Sequence, residues 1–225
     1  MRTISWAAAA LALTGCATAY APPLLPMPLP PPSAEIPRGP SIYTNAPGAP
    51  LHGELFACSF RGANVGEMGA RGEALYYTPY IHTAAGALLR NPTETACLAS
   101  GFGWRGSADG GGRQHSGLDL ANPEGGFIFA AADGWVASNG WRNGYGLVLE
   151  LDHGAGVRTL YAHLNEVDSD LSQGAFVRQS QAVARMGMTG NATGTHLHYE
   201  VIVDGLQVDP LNYGVVTASE EKPVM

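Results

Sequence analysis

The chain has 225 residues, which is enough for one domain of ordinary size with short additions. Charged residues make up 14% of it, below the roughly 25% of an average soluble domain, and its 30 glycines favour turns and loops over long helices. The formal net charge of −7 argues against a nucleic-acid partner, because proteins that bind nucleic acid present basic surfaces.

The N-terminus predicts an export signal in residues 1–15. Arg2 precedes an apolar run from Ile4 to Leu13, which is too short to span a membrane as a helix. The run ends in LTGC, which resembles the bacterial lipobox and implies cleavage before Cys16 and lipid on its sulfur. Ala17 then fits an outer-membrane lipoprotein that faces the periplasm. The alternative to the lipid anchor is an ordinary signal peptide with a coincidental cysteine. The alternative to the outer membrane is the surface of a Gram-positive cell.

Residues 16–50 are predicted to be a tether behind this anchor. The stretch from Ala21 to Pro50 is dense in proline, which favours extended polyproline II over helix or sheet. At ~3.1 Å per residue, about 30 such residues reach on the order of 90 Å. A membrane-anchored domain could therefore reach the cell wall, although a proline-rich docking ligand is the alternative.

Residues 51–97 are predicted to form a small N-terminal subdomain or a cap. The stretch GEALYYTPYIHTAAGALLR is compatible with a strand followed by a short helix. If Cys16 carries lipid, Cys58 and Cys97 remain as an even pair in an exported protein, which predicts a disulfide. A loop of about 40 residues closed in this way contributes ~4 kcal/mol. Two free buried thiols are the alternative.

Residues 98–213 show the pattern of an all-β domain, and residues 214–225 are left as a tail. Mainly antiparallel sheet, or a sandwich with a groove and long loops, is predicted because no long helical pattern separates the strands. Asn139-Gly140 and Asn143-Gly144 both predict tight hairpin turns. The predicted strands are short β-branched or aromatic runs, in GFIFAA, GWVASN, YGLVLELD, VRTLYAHL and HLHYEVIVDG.

Three histidine motifs lie within these strands and loops. HSGLD places His115 four residues before Asp119, and the glycine between them permits a turn that would bring both side chains to one ion. YAHL ends a strand at His163. HLHYE places His196 and His198 on one strand face, because side chains two apart point the same way. Each motif alone is weak evidence for a functional site.

Together the motifs match the requirements of a catalytic zinc ion, which takes three protein ligands and leaves one position for water. His115, Asp119 and either His196 or His198 supply three ligands. The remaining histidine of that pair and His163 would then be unligated imidazoles near the bound water.

The order H-x-x-x-D, A-H and H-x-H resembles the lysostaphin/LytM family of zinc metallopeptidases. The resemblance implies that His115, Asp119 and His198 hold one Zn²⁺ and that His163 and His196 are the two catalytic imidazoles. It covers residues 98–213 and extends to the flanking segments SGFGWR, AAADGWV, NGYGLVLELDHGAGVRTLYAHL, TGNATGTHLHYEV and VDPLNY.

The resemblance also implies an activity. Family members that have lost ligands act as activators of cell-wall amidases, whereas this chain keeps every position and is expected to be an active hydrolase. The expected substrate is the stem peptide of peptidoglycan, cut at D-alanyl–meso-diaminopimelate cross-links, and a divisome protein or an amidase could be a further partner. A non-hydrolytic amidase activator and a wall-binding structural lipoprotein are the alternatives. The chain departs from the family at Ser180 and Ala184, where members often carry glycine.

Roles follow for the remaining polar residues. We expect His163 to accept the proton of the attacking water, and His196 to stabilise the oxyanion or assist the leaving amine. Glu200 shares the strand face of the paired histidines and is predicted to orient a ligand through a hydrogen bond. A solvent-exposed Glu200 is the alternative. His153 precedes a turn and is predicted to be structural.

Overall fold

The computed structural model describes residues 55–59, 62, 64–66, 68–73, 91–93, 95–106 and 111–211, together with the backbone of 81–83 and 86–88. These residues form strands and turns without any helix, which confirms the predicted all-β, mainly antiparallel fold. Accordingly, this part of the chain contains no helix long and apolar enough to cross a membrane. The predicted signal peptide, Cys16, the tether and the C-terminal tail lie outside the described residues.

The strands are short except near the middle of the domain. In chain order they are β1 (Ile81–Thr83), β2 (Gly86–Leu88), β3 (Cys97–Ser100), β4 (Gly103–Gly106), β5 (Gly112–His115), β6 (Leu118–Ala121), β7 (Phe127–Phe129), β8 (Gly134–Arg142), β9 (Gly146–Asp152), β10 (Val157–Val167), β11 (Phe176–Val177), β12 (Ala182–Met186), β13 (His196–Val203) and β14 (Leu206–Val208).

Ten of these strands form one antiparallel sheet. Its main path is β11-β8-β9-β10-β13-β6-β3. Off this path, β12 pairs with β10 and with β7, and β14 pairs with β13. The strands β1–β2 and β4–β5 form separate two-stranded ribbons. Strand β10 pairs with β13 over Val157–Ala162 and with β12 from Leu164 onward, so its partner changes around residue 163.

The two faces of the sheet have different roles. One face carries the main hydrophobic core, in which Leu149, Leu151 and Tyr161 are fully buried. Each large apolar side chain buried there contributes about 1.5–3 kcal/mol. The opposite face carries a small cluster of Val148, Leu160 and Ala162, covered by Tyr145 and Ile202 from the β8–β9 turn and from β13. This smaller face supports the candidate site.

Two sequence-based expectations about local structure are wrong. Asn139-Gly140 is not a turn but lies inside β8, paired with Leu149 and Val148, and the hairpin instead turns at the second Asn-Gly, where Gly144 has φ 82°. The short helix predicted in the N-terminal segment is also not seen where the backbone is described, because 86–88 pair with 81–83 as strands.

The described part of the N-terminal segment lies against the edge of the main sheet. Ala57 forms a parallel bridge with Leu98 of β3, and Cys58 donates its backbone N–H to the Leu98 carbonyl at 3.0 Å. Cys58 is joined to Cys97 by a disulfide across this contact, so the structure contains the pairing that the even cysteine count predicts. The disulfide and the backbone contacts together anchor residues 55–58 to β3, the strand next to β6.

Of the two departures from the family's glycines, Ser180 has a structural consequence. Its φ of 65° lies in the left-handed region, which glycine adopts without steric cost. Ala184 is fully buried in β12, in an ordinary strand conformation, and nothing in the structure explains a preference for glycine there.

Candidate metal centre

Three side chains from different strands meet at one point beside the sheet. His115 Nε2, Asp119 Oδ1 and His198 Nδ1 lie 3.0, 3.1 and 2.9 Å from one another in pairs. Among the described residues this is the group of His, Cys, Asp or Glu whose ligand atoms are close enough to hold a metal ion. Both histidines are buried and Asp119 is half-buried.

Strand pairing explains this convergence. His198 of β13 is directly opposite Asp119 of β6 in the antiparallel register. His115 ends β5 and reaches the same point through the short link before β6. A Cβ on Gly117 in that link would lie 2.2 Å from the Tyr199 carbonyl oxygen. Glycine is therefore needed for close approach of the link to β13. Gly117 does not have a positive φ, so its backbone conformation is not the reason for glycine at this position.

Each of the three side chains is held from behind by a second group. His115 Nδ1 donates to the Gly101 carbonyl oxygen at 2.7 Å, and His198 Nε2 donates to Glu200 Oε1 at 3.0 Å. These hydrogen bonds leave the lone pair of each opposite ring nitrogen directed at the shared point, as in metal-binding histidines. Glu200 is 1% exposed, so the solvent-exposed alternative for it is wrong.

Glu200 accepts two further hydrogen bonds at the same oxygen. Its Oε1 accepts a hydrogen bond from Tyr145 OH at 2.9 Å and a short one from Ser116 Oγ. The Tyr145 ring meets His198 edge-on at 5.6 Å between centroids. The buried carboxylate is thereby fixed in position beneath His198.

Asp119 divides its two oxygens between different partners. Oδ1 faces the two imidazole nitrogens, whereas Oδ2 accepts a charge-assisted hydrogen bond from Arg105 Nη2 at 2.7 Å. The same Arg105 nitrogen lies 2.5 Å from His115 Nδ1. Arg105 was not singled out from the sequence, although it lies in the SGFGWR segment. On β4 it lies two residues after Gly103, which is opposite His115 in the β4–β5 ribbon.

The donor set fits zinc. Two imidazole nitrogens and one carboxylate oxygen are ligands that catalytic zinc accepts, and ligand atoms about 2.0–2.1 Å from a tetrahedral ion are about 3.3 Å apart. The observed separations of 2.9–3.1 Å are close to that value. A carboxylate and two nitrogen lone pairs directed at one point are the arrangement that a cation stabilises.

The electrostatics of the cluster favour an ionised Asp119. Burial alone would raise the pKa of Asp119, but hydrogen bonds and charge from His115 and His198 hold that pKa well below its ordinary value. Burial likewise opposes ionisation of Glu200, and the bonds from His198 and Ser116 outweigh it, so the pKa of Glu200 is lowered. Both carboxylates are therefore anionic at neutral pH.

His163 reaches the cluster through an irregularity in β10. Strict alternation would place it on the core face with Thr159 and Tyr161, both fully buried. Instead the pairing with β9 shifts between Tyr161 and Leu164, and His163 has φ 59°. The bulge turns the ring toward the site, where its centroid lies 4.7 Å from that of His196 and 5.9 Å from that of His198.

His163 and His196 are oriented in the same way. His163 Nδ1 donates to the Thr189 carbonyl at 2.8 Å, and His196 Nδ1 donates to the Gly194 carbonyl at 2.8 Å. In their neutral forms, both rings therefore present an unprotonated Nε2. His196 Nε2 lies 3.7 Å from Asp119 Oδ1, beside the cluster but outside it. Burial lowers the pKa of His163, which keeps its ring neutral near pH 7.

His153 lies in a separate buried chain of polar groups. Its Nδ1 donates to the Asp133 carbonyl at 2.8 Å, and its Nε2 is 2.7 Å from Thr159 Oγ1, which in turn is 2.9 Å from Tyr161 OH. The Tyr161 hydroxyl accepts from the Ala131 N–H at 2.9 Å. His153 thus satisfies buried polar groups and has a structural environment, as the sequence suggested.

Comparison with known families bears directly on this arrangement. The model of Peptidase family M23 matches residues 113–210, a range that includes the three residues of the cluster and the two imidazoles beside it, His163 and His196. Residues 113–210 form a peptidase family M23 domain. The resemblance to the lysostaphin/LytM family is thereby confirmed, and the M23 domain contains the His115/Asp119/His198 cluster.

Individual relatives match only part of this chain and a smaller part of their own length. The DD-carboxypeptidase/endopeptidase Mpg of Neisseria meningitidis is 40% identical over 105 residues, which are 47% of this chain and 24% of Mpg. The peptidoglycan DD-endopeptidase ShyC of Vibrio cholerae is 32% identical over 137 residues, 60% of this chain and 31% of ShyC. Stage II sporulation protein Q of Bacillus subtilis is 33% identical over 101 residues, 43% of this chain and 35% of that protein.

The chain therefore spans about a quarter to a third of the length of these relatives. Two of them are named as enzymes that act on DD bonds, whereas the name of the third states no hydrolytic activity. M23 membership alone consequently does not assign an activity to this chain.

Proposed function

We propose that this protein is a zinc-dependent endopeptidase that hydrolyses the peptide cross-links of peptidoglycan, at D-alanyl–meso-diaminopimelate bonds, in cell-wall remodelling or division. The observation that carries the proposal is the complete His115/Asp119/His198 cluster with two further imidazoles beside it. The names of the relatives Mpg and ShyC support the class of bond.

The residues around the cluster supply the parts of a hydrolytic site. A zinc ion held by His115, Asp119 and His198 would supply a Lewis acid that polarises the scissile carbonyl and lowers the pKa of water. His163 offers a neutral Nε2 that accepts a proton from the attacking water. His196, once protonated at Nε2, donates a hydrogen bond to the developing oxyanion or a proton to the leaving amine.

We further propose that the chain acts from the outer membrane, facing the periplasm, with lipid on Cys16 and the Pro-rich tether spanning the distance to the wall. The support is the N-terminal sequence, in which an apolar run ends in LTGC and is followed by dense proline. Mass spectrometry of the chain purified from membranes tests the anchor. A mature N-terminus at Cys16 that carries acyl chains supports it, and an unmodified Cys16 contradicts it.

The activity is tested with purified chain, cross-linked muropeptides and separation of products by chromatography with mass detection. We expect release of the two stem peptides, and inhibition by a chelator. His163→Ala and His196→Ala should retain zinc and lose about 10²–10⁴-fold in rate, as for the removal of an acid–base group. His198→Ala should lose zinc. A zinc-loaded protein that leaves cross-links intact contradicts the proposal.

A second function is supported by one observation, the relative whose name states no hydrolytic activity. In that case the chain would bind the wall or activate an amidase without cutting. Metal content separates the two functions, because a protein that lacks zinc yet stimulates an amidase supports the second. The complete ligand cluster favours the hydrolase.

A further inference from the structure

Arg105 is the one cationic side chain in direct contact with the cluster among the described residues. It lies on β4, one of the two strands of the ribbon that ends at His115. Its guanidinium meets Asp119 Oδ2 at 2.7 Å, and the side chains of Arg105 and Asp119 are only 17% and 16% exposed. This contact differs from a surface ion pair, which is mobile and contributes little.

We propose that Arg105 is a positioning residue that holds Asp119 as a one-oxygen ligand and so keeps a coordination position free. The inference rests on the proposed zinc site. It concerns how the carboxylate is presented to the ion, whichever bond the enzyme cuts.

The contacts of Asp119 carry the argument. Oδ1 lies 3.0 Å from His115 Nε2 and 2.9 Å from His198 Nδ1, so this oxygen is the one at the shared point. Oδ2 is occupied by the guanidinium and is directed away from that point. A carboxylate free to rotate could offer both oxygens, and the second would occupy the position that a catalytic ion needs for water.

The environment of Arg105 indicates a dedicated contact. Its Nε is buried and has no hydrogen-bond partner within the described part of the chain. Burying a guanidinium with one donor unsatisfied costs free energy, so the other contacts of the group must hold it in this position. A guanidinium also presents its donors in a rigid planar fork, which a lysine ammonium lacks.

The guanidinium lies close to His115 as well. Nη2 is 2.5 Å from His115 Nδ1, the nitrogen that the Gly101 carbonyl accepts from at 2.7 Å. Because Nδ1 donates its proton to Gly101, it cannot accept a hydrogen bond from Arg105, so the acceptor of the Nη2 hydrogen bond is Asp119 Oδ2. The carbonyl, the guanidinium and the ring therefore restrict His115 and Asp119 together.

The test uses the full chain with three substitutions. Arg105→Met removes the charge and the fork, Arg105→Lys keeps the charge alone, and Arg113→Met is the matched control. Arg113 lies directly opposite Arg105 across the β4–β5 ribbon but is exposed. Zinc affinity is measured by competition with a chromophoric chelator, and the visible spectrum of the cobalt(II)-loaded protein reports the coordination number.

We expect Arg105→Met to bind zinc about 10–100-fold more weakly, the range for loss of a partner behind a ligand. Its cobalt bands should lose intensity, because cobalt with a fifth ligand absorbs less than tetrahedral cobalt. Arg105→Lys should recover part of the affinity but not the spectrum, and Arg113→Met should match the wild type in both.

A cobalt spectrum of Arg105→Met identical to that of the wild type overturns the inference, whatever happens to affinity. If Arg105→Met does not fold, Arg105→Lys carries the same spectroscopic test. Wild-type protein that binds neither metal would defeat the proposed zinc site itself, whereas an unchanged variant spectrum defeats only the role of Arg105.

Discussion

Glu200→Gln tests whether the buried carboxylate beneath His198 contributes to metal binding. The substitution keeps the volume of the side chain but replaces an anionic acceptor with an amide. In the wild type, Oε1 accepts from His198 Nε2 at 3.0 Å, from Tyr145 OH at 2.9 Å and from Ser116 Oγ. Because the bond from His198 fixes the ring and makes its Nδ1 more basic, the amide should weaken the ligand.

The expected magnitude follows from the contact. Loss of a carboxylate partner behind a ligating histidine lowers metal affinity by about 10–100-fold, or roughly 1.4–2.8 kcal/mol. We expect the loss for Glu200→Gln at the upper end of this range, because Glu200 is only 1% exposed and water cannot replace the carboxylate. The competition assay with a chromophoric chelator measures this change directly.

Glu150→Gln is the control for loss of a buried carboxylate on the same sheet face. Glu150 is 9% exposed and pairs with Arg142 and Arg158, not with the cluster. Its substitution should leave zinc affinity within about twofold. If Glu200→Gln binds zinc as tightly as Glu150→Gln does, the carboxylate does not support His198 and the reasoning is refuted.

Three further predictions concern stability, measured by urea unfolding with a chelator present. Burial lowers the pKa of His153 below its ordinary 6.5, so the unfolded chain binds this proton at a higher pH than the folded chain does. The stability of the wild type should therefore fall relative to that of His153→Gln as the pH drops from about 7.5 to 5.5. A difference in stability between the two proteins that does not change with pH contradicts this prediction. Ser180→Gly should raise the free energy of unfolding by up to ~1 kcal/mol, because glycine adopts the φ of 65° without steric strain, whereas Ser180→Ala should not. Equal effects of the two substitutions would show that the backbone at this position is not strained. Replacing Cys58 and Cys97 by serine should cost about 2–4 kcal/mol, matched by reduction of the wild type, and an unchanged midpoint would argue against the bridge.

The strands of the domain could be predicted because alternation is a local property. Leu149 and Leu151 face the core and Val148 faces the opposite side, as their spacing requires. The hairpin turn could not be located in the same way, because two Asn-Gly pairs lie within a few residues and both have suitable turn chemistry. The pairing of Gly140 with Val148 places the first pair inside the strand.

The candidate site shows the same division. Residue types and their order in the chain were sufficient to select His115, Asp119 and the pair His196/His198, and the family resemblance assigned His198 as the third ligand. The structure brings His115, Asp119 and His198 within about 3 Å of one another. The direction of His163 was not predictable from alternation, because a bulge with φ 59° turns the ring away from the core. Arg105 was missed because its partner Asp119 lies on another strand.

By itself, the sequence determined the all-β class, the approximate positions of the longer strands and the residues that could bind a metal, because each depends on side-chain chemistry and on spacing along one segment. Only the tertiary structure decided how those residues meet. It set Asp119 opposite His198, placed Glu200 and Arg105 behind the two ligands, and turned His163 toward the site. These contacts join strands far apart in the chain, so the register of the folded sheet, and no local pattern, determines them.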